Sequence, residues 1–103
     1  MCIKKIDGNF KVIDSVKEIG SRAFHYQTGL TSIELPEKLT SIEDSFEAVG
    51  ITEIVIPRSV NNIDAGCFQR CANLDKVTIY NGKLLETAPW GAPKGDKVVD
   101  LKQ

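Results

Sequence analysis

The chain has 103 residues and a formal net charge of −1, so it is long enough for one domain and lacks the basic surface typical of nucleic-acid binders. Its apolar content of 42% and charged content of 26% are ordinary, and no apolar run is long enough for a membrane-spanning helix. We therefore expect neither a nucleic-acid partner nor membrane insertion. The first ten residues lack the apolar core of a signal peptide. This predicts a cytoplasmic location if the chain is full length, and a cell-surface location if it is a fragment of an exported protein.

The N-terminal segment, residues 1–15, is predicted to cap the first coil of a larger array and to contain part of a repeat. Residues 2–8 read CIKKIDG and are expected to form a hairpin-like strand with Ile3 and Ile6 directed inward. Phe10 and Val12 follow at the positions that paired apolar residues occupy in each later unit.

Residues 16–82 contain three repeats, 16–38, 39–59 and 60–82. Each begins with V-x-x-I or L-x-x-I, continues to a phenylalanine, and leads into a segment of the form L-x-x-I-x-I. Corresponding positions recur every 21 to 23 residues. The middle unit is one residue short before its phenylalanine and one short after it. The matching residues are Val16, Leu39 and Val60, then Phe24, Phe46 and Phe68, then Leu30, Ile51 and Leu74.

A period of this length built on L-x-x-L-x-L is typical of a leucine-rich solenoid. Apolar and polar residues alternate in the L-x-x-I-x-I segment, which predicts a short strand with Ile33 and Leu35 inward. The V-x-x-I segment is expected to form a second short strand or a turn. The sequence therefore predicts a repeat solenoid that is mainly β, with short parallel strands, irregular or short helical convex segments, and a ladder of stacked phenylalanines inside.

The C-terminal segment, residues 83–103, is predicted to be a cap that includes a final strand at Val99–Leu101. Trp90 lies between Pro89 and Gly91 in a turn-rich stretch just before that strand. Because an open solenoid end exposes core, we expect Trp90 to cover the last coil. The alternative is a binding hot spot, since tryptophan is enriched at such sites.

The residue pattern of the repeat resembles that of the BspA-like class of leucine-rich repeats. Its pattern, V-x-x-I-G-x-x-A-F-x-x-C-x-x-L-x-x-I-x-I-P, is visible in VKEIGSRAFHYQTGLTSIELP and in VNNIDAGCFQRCANLDKVTI. The resemblance covers roughly residues 10–80, with departures at Thr28, at Asp64 and in the shortened middle unit. It implies a curved binding solenoid, of a kind found on bacterial, phage and protist surface proteins.

The cysteines and the single histidine do not suggest catalysis. Three cysteines make an odd number, which is unlike a disulfide framework. Cys67 and Cys71 fall on core positions of the repeat and are expected to be buried and reduced, with a redox pair as the less favoured alternative. His25 follows Phe24 and is expected on the convex surface, two coils away from either cysteine.

Two further motifs have a distant similarity to ligand sites. GAPKGDK resembles a phosphate loop only loosely, because its glycine spacing is one residue short and Val98 replaces the hydroxyl that would bind a metal. Glu43, Asp44 and Glu47 lack the order of oxygen ligands that a calcium loop uses. We therefore predict no catalytic residue, no metal site and no cofactor.

The outward side of the stacked strands is the predicted site. One column reads Asn9, Ser32, Glu53 and Lys76, and the next reads Lys11, Glu34, Val55 and Thr78. We predict a non-enzymatic protein-binding module, possible settings being a phage or bacterial inhibitor of a host protein or a fragment of a surface adhesin. A purely structural spacer is the remaining alternative. The predicted partner-binding residues are Glu34, Glu53, Val55, Lys76, Thr78 and Tyr80.

Overall fold

A computed structural model describes residues 5–102. The chain winds into successive coils of short strands and turns, with outer dimensions of 34 × 30 × 19 Å. The strands are β1 (Gly8–Lys11), β2 (Glu18–Ile19), β3 (Leu30–Glu34), β4 (Ser41–Ile42), β5 (Glu53–Val55), β6 (Asn62–Ile63), β7 (Lys76–Ile79) and β8 (Val99–Leu101). Two 3₁₀ helices, Gly82–Glu86 and Gly95–Val98, lie between β7 and β8. The structure is therefore the predicted mainly-β solenoid.

The strands form two layers, and all ladders are parallel. β2, β4 and β6 make one sheet from the short V-x-x-I segments. The longer segments make the other layer, in which β1 pairs with β3 and β5 pairs with β7 and β8. The register places Phe10 beside Ile33 and Ile54 beside Val77, as the repeat alignment predicts. The predicted final strand is also confirmed, since Ile79 pairs with Leu101.

One expected pairing is absent. The repeat pattern predicts that the short strands of successive units pair in parallel, but β3 and β5 lie next to each other without a strand ladder between them. The longer-strand layer is thus two sheets rather than one. The break follows the shortened middle repeat, whose coil leads directly into β5.

The core lies between the two layers. Along β3, the outward Glu34 is exposed while the inward Ile33 is 7% exposed, and β5 repeats the pattern with Glu53 outward and Ile54 inward. This alternation follows from the strand period of two. The predicted inward residue Leu35 is half-buried and packs against the core.

Aromatic side chains form a continuous ladder through the interior. The rings of Phe24 and Phe46 stack at a centroid distance of 5.2 Å, and those of Phe46 and Phe68 stack at 5.7 Å. Phe10 meets Phe24 edge to face at one end, and Trp90 meets Phe68 edge to face at the other. The predicted phenylalanine ladder is confirmed, and it is two aromatic residues longer than predicted.

The turns that follow each aromatic residue share one backbone geometry. Tyr26, Ala48 and Arg70 each stand two residues after a phenylalanine and have positive φ angles of 60°, 58° and 62°. Backbone hydrogen bonds then join turn to turn, with Tyr26 N–H donating to the Glu47 carbonyl and Ala48 N–H to the Gln69 carbonyl. The convex side is therefore linked from coil to coil without a helix.

Both ends of the stack are partly covered. Trp90 is fully buried, so the covering role predicted for it is confirmed. Thr87 and Asn81 donate hydrogen bonds to the carbonyls of Ile63 and Val60, which closes the edge of the β2–β4–β6 sheet. At the other end Ile6 packs against the core as expected.

The predicted capping strand at residues 2–8 is only partly within the described residues. Lys5–Asp7 have no strand structure, and strand pairing begins at Gly8, so the prediction is wrong for this part. Ile3 lies outside the described residues. Within residues 5–102, no helix is long and apolar enough to cross a membrane.

Candidate binding face

The outer surface of β1, β3, β5, β7 and β8 is called the strand face below. Its side chains follow the predicted columns, because Lys11 lies beside Glu34, Glu53 beside Lys76, and Val55 beside Thr78 in the strand registers. The structure adds a residue that the sequence analysis missed, since Asp100 on β8 lies beside Thr78. The strand face is thus the side of a parallel layer on which neighbouring coils present side chains in rows.

The predicted binding residues differ in how much surface they offer. Glu34, Glu53, Val55 and Lys76 are exposed, and Val55 stands out as an apolar side chain that is 55% exposed. Val55 lies on β5, the edge strand of the β5–β7–β8 sheet, and is the most exposed large apolar side chain on the strand face.

Thr78 differs from expectation, because it is only 8% exposed. It lies on an interior strand between Val55 and Asp100, and its short side chain does not reach past these neighbours. Strand alternation alone placed it outward but did not account for the height of the adjoining side chains. Thr78 thus offers little area to a partner.

Tyr80 is half-buried at the end of β7, and the guanidinium group of Arg58 lies over its ring. The Arg58 guanidinium carbon lies 4.5 Å from the ring centroid, within the range of a cation–π interaction. Arg58 was not predicted as part of the site, although it follows Pro57 at the end of β5 and so lies one coil away from Tyr80. The pair presents an apolar ring edge together with a positive charge.

A charge cluster occupies the β7–β8 end of the strand face. Lys76 Nζ lies 3.5 Å and Lys102 Nζ lies 3.2 Å from Asp100 Oδ2. The hydrogen bond from Lys102, with a further contribution from Lys76, lowers the pKa of the Asp100 carboxyl below its ordinary value. Two lysines share one aspartate here, so this end of the face is cationic at neutral pH.

A concavity of about 750 Å³ lies on the strand face and reaches from Asn9 on β1 to Tyr80 at the end of β7. Ser32, Ile33, Glu34 and Leu35 line it from one side, and residues 53–58 supply most of the other. The strand face is therefore divided into an acidic side with a concave opening and a cationic end around Asp100.

The opposite surface, called the turn face, is formed by residues 20–29, 43–50 and 64–73. His25 Nε2 lies 3.2 Å from Glu47 Oε1, close enough for an ion pair once the imidazole is protonated but without hydrogen-bond alignment. Arg70 contacts the same carboxylate at 3.7 Å, and its Nη1 lies 3.4 Å from the Tyr26 hydroxyl. The carboxylate partner of His25 was not foreseen, because Glu47 lies a full coil later in the sequence.

The thiols have the environment of core residues. Cys67 and Cys71 are free and fully buried, as predicted. Burial raises the pKa of the Cys67 thiol to about 12 and also raises the pKa of Cys71. Because the thiolate is the reactive form, neither side chain is activated as a nucleophile. Within the described part of the chain, no group of three His, Cys, Asp or Glu side chains is placed to hold a metal ion.

The fold and this face together define a short repeat solenoid that presents side chains from stacked parallel strands. The chain belongs to the BspA type leucine-rich repeat family, whose family model matches residues 5–89 in 6 copies. Leucine-rich repeats of this kind are generally non-enzymatic and commonly mediate protein interactions. No curated protein and no solved structure matches the chain.

Proposed function

We propose that this protein is a non-enzymatic binding module that recognises a protein partner through its strand face. The observation that carries the proposal is the exposed Val55 at the centre of that face, flanked by the half-buried Tyr80 and by charged side chains of both signs. Protein interfaces combine such an apolar centre with a polar rim. Glu34, Glu53 and Lys76 belong to the rim, and Thr78 contributes at most an edge contact.

The turn face supports the proposal less well. Three of its side chains contact one another, since Glu47 lies against both His25 and Arg70. Trp90 is buried under the last coil and presents no surface to a partner. The exposed Val55 and the concavity of about 750 Å³ both lie on the strand face.

The strand face could serve the same binding role in two cellular settings. A free-standing cytoplasmic protein would block a host protein, as a phage or bacterial inhibitor does, and a fragment of a surface adhesin would bind outside the cell. We favour the first setting, because buried, unpaired thiols fit a reducing compartment. Sequencing the genomic neighbourhood of the gene and locating the native protein by cell fractionation distinguish the two.

The test begins with a pull-down from the native host and continues with affinities for purified variants. Val55→Asp and Tyr80→Asp place an unpaired charge in the buried centre of the contact. Each should weaken binding by about 2 kcal/mol, roughly 30-fold in Kd. Arg22→Ala and His25→Ala on the turn face serve as matched controls and should leave Kd unchanged.

Circular dichroism must show that Val55→Asp keeps the fold, which its exposure leads us to expect. A loss of affinity confined to the turn-face variants would contradict the proposal. So would a partner whose affinity is the same for all four variants.

A further inference from the structure

The last coil of the solenoid ends in a strand whose outer edge is open. β8 pairs with β7 on one side and is the final strand of its sheet. Lys102 N–H donates to the Ile79 carbonyl, so the backbone groups of Asp100 and Lys102 face β7. Because these groups alternate from side to side along a strand, the N–H and C=O of Leu101 face away from β7. No hydrogen bond between residues 5–102 engages them.

Two exposed leucines lie in this last coil. Leu101 is 44% exposed at the end of β8, and Leu85 on the first 3₁₀ helix is 45% exposed. Among residues 5–102, five large apolar side chains are exposed, and these are two of them. Thr87 donates a hydrogen bond to the Ile63 carbonyl, so this 3₁₀ helix lies beside β6 and ends the other layer. Both layers of the stack therefore end in an exposed leucine.

The charges on either side of Leu101 have opposite signs. Asp100 and Lys102 stand two residues apart on the strand face, and Lys102 Nζ lies 3.2 Å from Asp100 Oδ2. The segment Asp100–Lys102 is therefore acidic, apolar and basic in one direction, and basic, apolar and acidic in the other. A second copy that runs antiparallel and is centred on Leu101 places Asp100 opposite Lys102 on both sides of the centre. Opposite charges across a strand pair stabilise it, and like charges destabilise it.

The open backbone groups select the same centre. In an antiparallel pair, residues that exchange both hydrogen bonds alternate with residues whose side chains come closer together. Leu101 would exchange both of its free hydrogen bonds with Leu101 of the second copy. Asp100 and Lys102 would then occupy the closer position, with Cα atoms about 4.5 Å apart. The backbone, the apolar side chain and the charges thus agree on one register.

A head-to-tail arrangement fits these residues less well. If β1 of a second copy continued the stack on β8 in the register of the repeat, Lys11 would lie beside Asp100, but Lys102 would lie beside the exposed Ile13. That contact would also repeat without closing and give an open filament. The antiparallel arrangement uses both charges and closes after two copies.

We propose that β8 is a self-association surface, through which two copies of this chain pair edge to edge, antiparallel and centred on Leu101. The two-fold axis is perpendicular to the sheet, so β5, β7 and β8 of both copies form one continuous sheet. The two strand faces then lie on the same side of the dimer. The inference is independent of the proposed function and goes beyond it, because the dimer presents two copies of whatever site that face contains.

Sedimentation velocity of the full chain tests self-association directly. Because the contact consists of one short strand pair and its flanking side chains, we expect a weak dimer, whose fraction rises between micromolar and millimolar chain concentration. The limiting mass should be twice that of one chain. Hydrogen exchange followed by NMR locates the contact, since the Leu101 amide should exchange several-fold more slowly in concentrated than in dilute protein. Amides of β1 should not change.

Charge reversal tests the register. In Asp100→Lys both charged positions of the segment are basic, and in Lys102→Asp both are acidic, so each variant opposes like charges in its own dimer. Each should self-associate about tenfold more weakly than the parent, or less. An equimolar mixture of the two variants should form a heterodimer, because each basic residue then meets an acidic one. The double variant, Asp100→Lys with Lys102→Asp, should recover self-association.

Asp14→Lys and Lys38→Asp are the matched controls. Both residues are exposed and follow β1 and β3, at the other end of the stack, and their reversal changes the net charge by the same amount. Neither variant should alter the dimer fraction, and mixing them should have no effect. Circular dichroism must show that all variants keep the fold. The exchange measurement on the parent protein does not depend on any variant.

Four outcomes overturn the proposal. These are a chain that stays monomeric up to millimolar concentration, assembly beyond two copies, self-association that survives both charge reversals, and weakened single variants that the mixture does not restore. Assembly beyond two copies would indicate the head-to-tail contact. Partner binding by the strand face is tested separately through Val55 and Tyr80, so either conclusion can fail without the other.

Discussion

Truncation of the central ring of the aromatic ladder, Phe46→Ala, should strongly destabilise the protein. Phe46 is fully buried and stacks on a ring in each direction, nearly parallel to Phe24 with an interplanar angle of 1° and to Phe68 with 17°. Removal of a buried phenylalanine costs about 3–5 kcal/mol, which includes the cavity that remains. The total free energy of unfolding of a domain of this size is about 5–15 kcal/mol.

The effect is expected to be larger at the centre of the ladder than at its end. In a solenoid each unit is stabilised mainly by its two neighbours, so loss of a ring that serves two interfaces uncouples the coils on both sides. Phe10 provides the matched control, because it is half-buried and, among the rings of residues 5–102, contacts one neighbour, Phe24, edge to face at 5.5 Å. Phe10→Ala should cost clearly less than Phe46→Ala.

Thermal unfolding followed by circular dichroism measures both variants. At about 4–8 °C for each kcal/mol in a small domain, Phe46→Ala should lower Tm by roughly 12–40 °C. Urea titration gives the free energy directly, and an unchanged m-value shows that the same amount of surface is exposed. If Phe10→Ala proves as costly as Phe46→Ala, or if Phe46→Ala leaves Tm unchanged, the ladder does not hold the coils together.

Three further predictions concern the core, the cap and the tight turn. Cys67 and Cys71 should react with a thiol reagent only on unfolding. Burial raises the pKa of Cys67 from 9.0 to about 12, so the stability contributed by its protonated thiol is complete below pH 9 and is lost as pH rises toward 12. Urea titrations across this pH range should therefore show a free energy of unfolding that falls as pH rises. Trp90→Ala should lower the free energy of unfolding by about 3–5 kcal/mol in the same assay. The tryptophan fluorescence of the parent protein should shift to longer wavelength on unfolding, and equal emission in the folded and unfolded states would refute the burial of Trp90. Gly50→Ala should lower the free energy of unfolding by about 1–3 kcal/mol, because the added Cβ meets a backbone oxygen. Gly20→Ala is the control and should be tolerated, since the nearest atom to its added Cβ lies at 3.9 Å. Similar melting curves for the two variants would contradict the close approach at Gly50.

The amino-acid sequence by itself determined the solenoid, since recurrence of the apolar positions every 21 to 23 residues allows only stacked coils to bury them. The same spacing predicted the registers, such as Phe10 beside Ile33, because equivalent positions of successive units must face each other. Burial of Trp90 and of the cysteines was predictable for a related reason. An apolar residue at a repeat position, or at an open end, has nowhere else to avoid water.

The tertiary structure alone decided the features that depend on distance between coils. The shortening of the middle repeat was visible in the sequence, but whether two strands still pair depends on a few ångströms of separation that no residue pattern encodes. Exposure of Val55 and burial of Thr78 likewise depend on the height of side chains on neighbouring strands. Contacts such as Glu47 with His25, and Asp100 with Lys76, join residues more than twenty positions apart. Alternation predicts which way a side chain points, and only packing decides what it meets there.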